Sequence, residues 1–226
     1  MNWNMFTPLP VPTEQRDVDA LIKEIENAPP GSVIRLQAGL YKFDKPLQIT
    51  KSLTLEGEGI DKTRISYIGS EENEHLIQIF SIDDNVHVTI RNICFEYTSY
   101  VKNDVNPDII LASDSTFEIQ SCAFTGAKNV TGLFLLEETR GVVRDCKFYD
   151  IDVGVAASEN AEVIIEDNIF WNNQVGITFI GNSKGTVRKN IYVKNKTGGI
   201  GIYDEAVVVL ENNRCWQNGE IGIFWR

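Results

Sequence analysis

The feature that most constrains this chain is a set of side chains returning at a near-constant interval. Phe95, Phe124, Phe148, Phe170, Tyr192 and Cys215 follow one another at separations of 29, 24, 22, 22 and 23 residues. Two positions before each lies a second column: Ile93, Cys122, Cys146, Asn168, Asn190 and Asn213. A third follows later in each interval as Asn173, Asn195 and Asn218. A fourth is read as Gly132, Gly154, Gly176, Gly201 and Gly222, each preceding an apolar residue: Leu133, Val155, Ile177, Ile202 and Ile223. Columns that move together over several intervals mark a stacked repeat. One interval is too thin to bury a core by itself, so like side chains must stack on like. Internal asparagine can bond the amides of its own turn and of the next coil, satisfying polar groups that would otherwise be buried bare. A glycine before an inward residue permits a tight corner.

Between the columns the apolar residues fall in short alternating runs, such as Ile34 and Leu36, Tyr41 and Phe43, Leu47 to Ile49 and Leu53 to Leu55. These are half-buried strands. The expectation is an all-β solenoid over residues 17–226, behind an irregular lead-in over residues 1–16. Val18, Leu21, Ile22 and Ile25 keep helical spacing until Pro29, Pro30 and Gly31. A short amphipathic helix there would cap the open N-terminal end of the stack. The separation of 29 before Phe124 points to a polar insertion over Tyr97 to Pro107, with Asn103, Asp104 and Asn106. Such loops either decorate a solenoid or contribute to a binding face. At the other end the pattern breaks off in mid-coil, from Gly222 to Arg226. That predicts either further coils in a longer chain or an open end that meets a partner by self-association.

Composition removes several classes of function. With 21 Lys and Arg against 32 Asp and Glu, the net charge is −11. An acidic body repels nucleic acid and anionic membranes, and no basic cluster stands out in the sequence. The same charge disfavours a strongly anionic polysaccharide unless a cation or a local basic patch intervenes. No apolar run reaches the length of a membrane span. The first dozen residues lack the basic start and apolar stretch of a signal peptide, which leaves the cytoplasm as the default compartment. Cys94, Cys122, Cys146 and Cys215 follow the repeat rather than a metal motif, and are expected as buried thiols in the core. His75 and His87 join no cluster of metal ligands.

The segment from Gly31 through Val33, Ile34, Leu36, Gly39 and Leu40 to Tyr41 resembles the opening coil of the right-handed parallel β-helix repeat family. The coils from Gly154 to Asn218, with the asparagines at 168, 190 and 213, resemble its repeats. That family is similar to the pectate lyase and pectin lyase superfamily, and the resemblance covers residues 17–226. It implies a single right-handed parallel β-helix and a carbohydrate as the common class of substrate. Members include lyases, hydrolases, epimerases and non-catalytic repeat domains. Family lyases typically use a calcium-binding acidic cluster and a basic residue, which no positions here match one by one. A shared solenoid fixes no chemistry.

Candidate site residues follow from alternation across the strands after the corner glycines. Phe134, Ala156, Thr178, Tyr203 and Phe224 are expected to form an outward column. Within it, Phe134, Thr178, Tyr203 and Phe224 are the ligand-binding candidates, with the aromatics either stacking on sugar rings or packing as ordinary surface. Glu137, Glu138, Glu159, Asp204 and Glu205 are expected nearby. Of these, Asp204, Glu205 and Glu159 are candidates for catalytic carboxyls, which a glycosidase needs in pairs several ångströms apart. Glu137, Glu138 and Asp204 are candidates for holding calcium, the one cofactor the arrangement suggests. The plain alternative for all five is a solvated acidic surface. Arg144, Glu166, Arg188 and Glu211 alternate in sign from coil to coil and read as structural pairs. Ser158 and Thr178 have no histidine in a position to activate them.

Three functions follow: a carbohydrate-associated β-helix that binds or scaffolds, a polysaccharide lyase or glycoside hydrolase, and a protein-interaction module.

Overall fold

The computed structural model describes residues 6–68, 75–80, 86–98, 107–219 and 221–225. The chain is a right-handed parallel β-helix of about seven turns, with one short helix at its N-terminus. Each turn contributes one strand to each of three parallel sheets. Sheet 1 starts at Ser32–Arg35, sheet 2 at Gly39–Phe43 and sheet 3 at Leu47–Ile49. The insertion expected over Tyr97 to Pro107 falls largely outside the described residues.

The helix runs over Val18–Asn27, with the Asp17 carboxylate accepting from the Ala20 N–H at its start. Leu21 and Ile25 bury against the first coil, so the helix does cap that end.

Inside, the expected columns are stacked in register. Phe95 pairs with Phe124, Phe124 with Phe148, Phe170 with Tyr192, and Tyr192 with Cys215. The Phe124, Phe148 and Phe170 rings lie face to face with centroids 4.7 and 4.8 Å apart. That spacing is the distance between neighbouring strands, so ring stacking follows from sheet pairing. Asn168, Asn190 and Asn213 form one hydrogen-bonded ladder, and Asn173, Asn195 and Asn218 form another. Where the first ladder gives way to cysteine, the Cys146 sulfur accepts the Cys122 N–H in place of an amide oxygen.

Three corners join the sheets, and each has a residue in the left-handed region. Between sheets 1 and 2 these include Asp145, Asp167 and Lys189. Between sheets 2 and 3 they are Asp150, Asn172, Lys194 and Gln217. Between sheets 3 and 1 they include Asp114, Glu137, Glu159 and Asp204. Asp and Asn tolerate this conformation best, which accounts for part of the corner composition. On the outer face of sheet 1, Arg188 pairs with Glu166 at 2.6 Å, while Arg144 pairs with Glu118. Arg188–Glu166 is a pair of the expected column, whereas Arg144 pairs with Glu118, which lies outside that column.

Two expectations are corrected. The glycine column runs through Gly199, not Gly201, because Ile177 pairs with Ile200 and Thr178 with Gly201. The reason is one extra residue in the turn between Asn195 and Gly198. A Cβ on Gly154, Gly176 or Gly199 would lie 2.4 to 2.7 Å from the next glycine's carbonyl oxygen. Stacking room, rather than a tight bend, therefore selects glycine here. Cys94 is the second correction. It is buried, but on the outer face of sheet 2 rather than in the core.

What buries Cys94 is the lead-in. Residues 7–16 hold no helix or regular strand, yet they lie along the outer face of sheet 2 as a strap. At its root, the Arg16 N–H donates to Leu40 O and the Leu40 N–H to Glu14 O. Further along, the carbonyls of Leu9 and Pro10 accept from the buried Arg64 guanidinium, which also pairs with Glu96 at 3.1 Å. At the tip, Phe6 stands edge-on to both Trp171 and Trp216, with centroids 6.1 and 6.3 Å away.

Candidate functional site

Outward from sheet 3, Phe134, Ala156, Thr178, Gly201 and Phe224 share one register. Tyr203 is not in that column. It stands two residues beyond Gly201, in the turn that follows, where its N–H donates to Phe179 O. Its ring meets Phe224 edge-on at 5.7 Å, so the two are brought together although the expected register is wrong. Thr178 and Ala156 are nearly buried between the bulkier ends of the column.

Glu137, Glu159 and Asp204 do share the corner between sheets 3 and 1. Glu159 raises the pKa of the exposed Glu137 carboxyl through a shared hydrogen bond and like-charge repulsion. Asp204 accepts the Gly181 N–H at 3.1 Å, which explains its place in the turn. Glu138 accepts from the Asn160 side chain, while Glu205 is an exposed turn residue. Among the described residues, no three His, Cys, Asp or Glu side chains converge to hold a metal ion.

The corner between sheets 2 and 3 carries two adjoining concavities, while a larger and more open one of about 570 Å³ lies between sheets 1 and 2, lined by residues that include Arg35, Glu56 and Arg91. One concavity of about 210 Å³ is lined by Lys128, Asp150, Ile151, Asn172, Gln174 and Lys196. A second, of about 260 Å³, is lined by Phe6, Trp171, Asn172, Val193 and Lys194. They adjoin at Asn172, whose left-handed backbone projects its amide outward and whose Nδ2 donates to Asp150 at 2.5 Å. Gln174 donates to Thr197 at 2.5 Å. Burial raises the pKa of the neighbouring Asp152, against the opposing pull of Lys196. Lys128 and Lys196 line the first concavity, with Asp150, and Lys194 lines the second, on a chain of net charge −11 and across sheet 3 from the acidic corner.

No residue of this corner was a candidate from sequence. The left-handed positions recur at the coil interval as Asp150, Asn172, Lys194 and Gln217, and that column was the available signal. Phe6 had none, because its partners Trp171 and Trp216 are far away in sequence.

Several solved structures share this fold. The catalytic domain of an α-1,3-glucanase in complex with nigerose has a TM-score of 0.58 and 11% identity. The match covers 92% of this chain and 46% of that one, so the chain spans just under half of the glucanase domain's length. A pectin methylesterase from carrot has a TM-score of 0.57 and 12% identity over 97% of this chain and 90% of that one. A pectin methylesterase from Aspergillus niger has a TM-score of 0.56 and 11% identity over 92% and 86%. Likeness at these identities is likeness of fold. No curated protein matches the sequence. The family model described as right handed beta helix region matches residues 78–225.

Proposed function

The chain belongs to the right-handed beta helix family, and on that premise we propose that it is a glycan-binding domain whose ligand lies along the corner between sheets 2 and 3. The observation that carries this reading is the pair of concavities joined at Asn172. Two amides and three ammonium groups, with the Asp150 carboxylate among them, line one strip and suit a sugar. Its hydroxyls bond the amides of Asn172 and Gln174. Lys128, Lys194 and Lys196 favour a sugar bearing carboxylates, supplying the local patch without which the acidic body would repel it. Solved neighbours named for pectin and for α-1,3-glucan support a polysaccharide as the ligand class.

The test is a glycan-array screen on the full chain, with calcium and with chelator. Acidic oligosaccharides are expected to bind in both, more weakly as salt rises, and at least tenfold more weakly to Lys128→Ala/Lys196→Ala. If no glycan binds in either condition, the reading fails. Calcium coordinated by Glu137, Glu138 or Asp204 would instead show as binding lost in chelator. A site on the outer face of sheet 3, favoured by the Tyr203–Phe224 contact, would show as binding lost in Tyr203→Ala and retained in the lysine variant. Turnover of a bound oligosaccharide would extend the reading to a lyase or hydrolase, with Asp204, Glu205 and Glu159 as the first carboxyls to replace.

An assembly role is a second reading, favoured by Trp225, 79% exposed on sheet 3, and by exposed Val207 and Val209 on sheet 1. Light scattering on the wild type and Trp225→Ala decides it: a dimer lost in the variant supports the role, and a monomer throughout removes it.

A further inference from the structure

Among the described residues, sheet 1 has eight strands, and its outer face presents three rows of side chains along the solenoid axis. The middle row begins at Val33, ends at Val209 and includes Ile164, all three exposed. The row nearest sheet 2 runs from Arg35 to Glu211. Its charges alternate from coil to coil except at Gln120, where a neutral amide stands between Arg91 and Arg144. An apolar centre beside a charged margin is the composition of a protein interface.

The order of the charges selects the partner. A two-fold axis lying in this face along the strands keeps each row opposite itself and reverses the order of the coils. With that axis between the strands of Gln120 and Arg144, Arg35 meets Glu211 of the second copy, and Glu56 meets Arg188. Nearer the axis, Arg91 meets Glu166 and Gln120 meets Arg144. In the middle row Val33 meets Val209, and in the third row His87 meets Glu162. Each contact occurs twice, and none sets like charges together. A slip of one coil opposes Arg35 to Arg188 and Glu56 to Glu166, and an axis along the solenoid opposes Arg140 to Arg144. Both alternatives are repulsive. Facing sheets lie ~10 Å apart, a gap that an arginine and a glutamate span together. At ordinary strand spacing the two faces cover on the order of 1,000 Å² in total, near the lower limit for specific association.

We propose that the outer face of sheet 1 is the interface of a two-fold homodimer, with its register set by the row from Arg35 to Glu211. This surface is separate from the corner between sheets 2 and 3, and the proposal does not depend on the glycan-binding reading. It also differs from association through Trp225, which stands on sheet 3. A net charge of −11 on each copy opposes their approach, so the dimer is weak and forms with rising concentration.

The experiment is sedimentation velocity of the full chain over a concentration series, alongside thermal melts. The proteins are wild type, Arg35→Glu, Glu211→Arg, an equimolar mixture of these two variants, and Trp225→Ala. Arg35 and Glu211 are both exposed, so the substitutions leave the core untouched and melting temperatures close to wild type are expected. In either variant alone, positions 35 and 211 of the two copies carry like charges at both ends of the interface. In the mixed pair both contacts are again between opposite charges. Wild type is expected to approach twice the chain mass as concentration rises. Each variant alone is expected to associate about tenfold or more weakly, the mixture within about threefold of wild type, and Trp225→Ala as wild type does. A wild type that stays monomeric throughout overturns the proposal. Association undiminished in either single variant also overturns it, because the row would then not lie in the interface. A mixture that stays monomeric overturns the register, and with it the two-fold pairing of Arg35 with Glu211. Loss of the dimer in Trp225→Ala places association on the last coil instead and overturns the proposal as well.

Discussion

The side-chain amide of Asn168 donates to the side-chain oxygen of Asn190 across 3.0 Å, and the same oxygen accepts the Asn168 backbone N–H at 2.9 Å. Asn190 in turn donates from Nδ2 to Ile165 O at 2.8 Å. Each rung of the ladder therefore serves the backbone of the coil below it and passes the pattern on. All of this lies in the interior, where a bare amide or carbonyl is costly.

Asn190→Ala leaves the Asn168 N–H and the Ile165 carbonyl without their partner. At ~1–3 kcal/mol for each buried group, the variant is expected to lose roughly 2–6 kcal/mol in urea unfolding. Asn218→Ala, at a half-buried rung, is expected to lose less. Equal losses at the two rungs would argue against burial as the source of the cost.

Tyr192 continues the phenylalanine stack, 5.0 Å from Phe170, but adds a buried hydroxyl with no hydrogen-bond partner among the described residues. Tyr192→Phe removes that hydroxyl and keeps the stack. It is expected to stabilise the fold by about 1 kcal/mol, read as a rise in the denaturation midpoint. A destabilised variant would show that the hydroxyl has a partner in solution.

Gly154→Ala places a methyl 2.5 Å from Gly176 O and 2.6 Å from the Phe170 ring. Backbone cannot move aside as a flexible side chain can, so the coils must separate locally. The expected loss is ~3 kcal/mol, at the upper end of overpacking costs, with lower protection of the Gly176 amide in hydrogen exchange. Unchanged protection would contradict the close stacking of the glycine column.

Asp152 has a carboxyl raised by burial above its ordinary value of 3.8. Above that value the folded chain still binds a proton that the unfolded chain has released. Stability therefore falls as pH rises from about 3.8 through the raised pKa, and returns on acidification. Asp152→Asn is expected to lose this slope, so its advantage over wild type grows across that interval and then levels off. A constant offset in urea midpoint at every pH would rule the assignment out.

Burial raises the Cys94 thiol to about 12 and the Cys146 thiol well above its ordinary range. Cys215 is also raised but only half-buried. Iodoacetamide at ~pH 8 is expected to modify Cys215 first, and Cys94, Cys122 and Cys146 only with unfolding. Mass spectrometry of the native protein resolves the order, and early labelling of Cys94 would mean that the strap opens readily.

The repeat was legible because it is local and redundant. Alternation puts every second residue inside, and coil stacking requires like side chains in like places, so Phe124, Phe148 and Phe170 declare one another from sequence. One extra residue before Gly198 was enough to misplace Tyr203, since several glycines there fit the column and only strand pairing selects Gly199. The acidic corner was legible as a group, though not the hydrogen bonds that occupy Asp204 and Glu138.

What the sequence by itself determined is the solenoid: its interval, its inner columns, its asparagine ladders and its N-terminal helix, all written as periodicity between neighbouring coils. The tertiary structure alone decided the concave corner and the strap beside it. Phe6 reaches Trp171 and Trp216, and Leu9 reaches Tyr149, through single contacts spanning most of the chain. Such contacts depend on the shape of a finished sheet face, and a complementarity used once leaves no period to read.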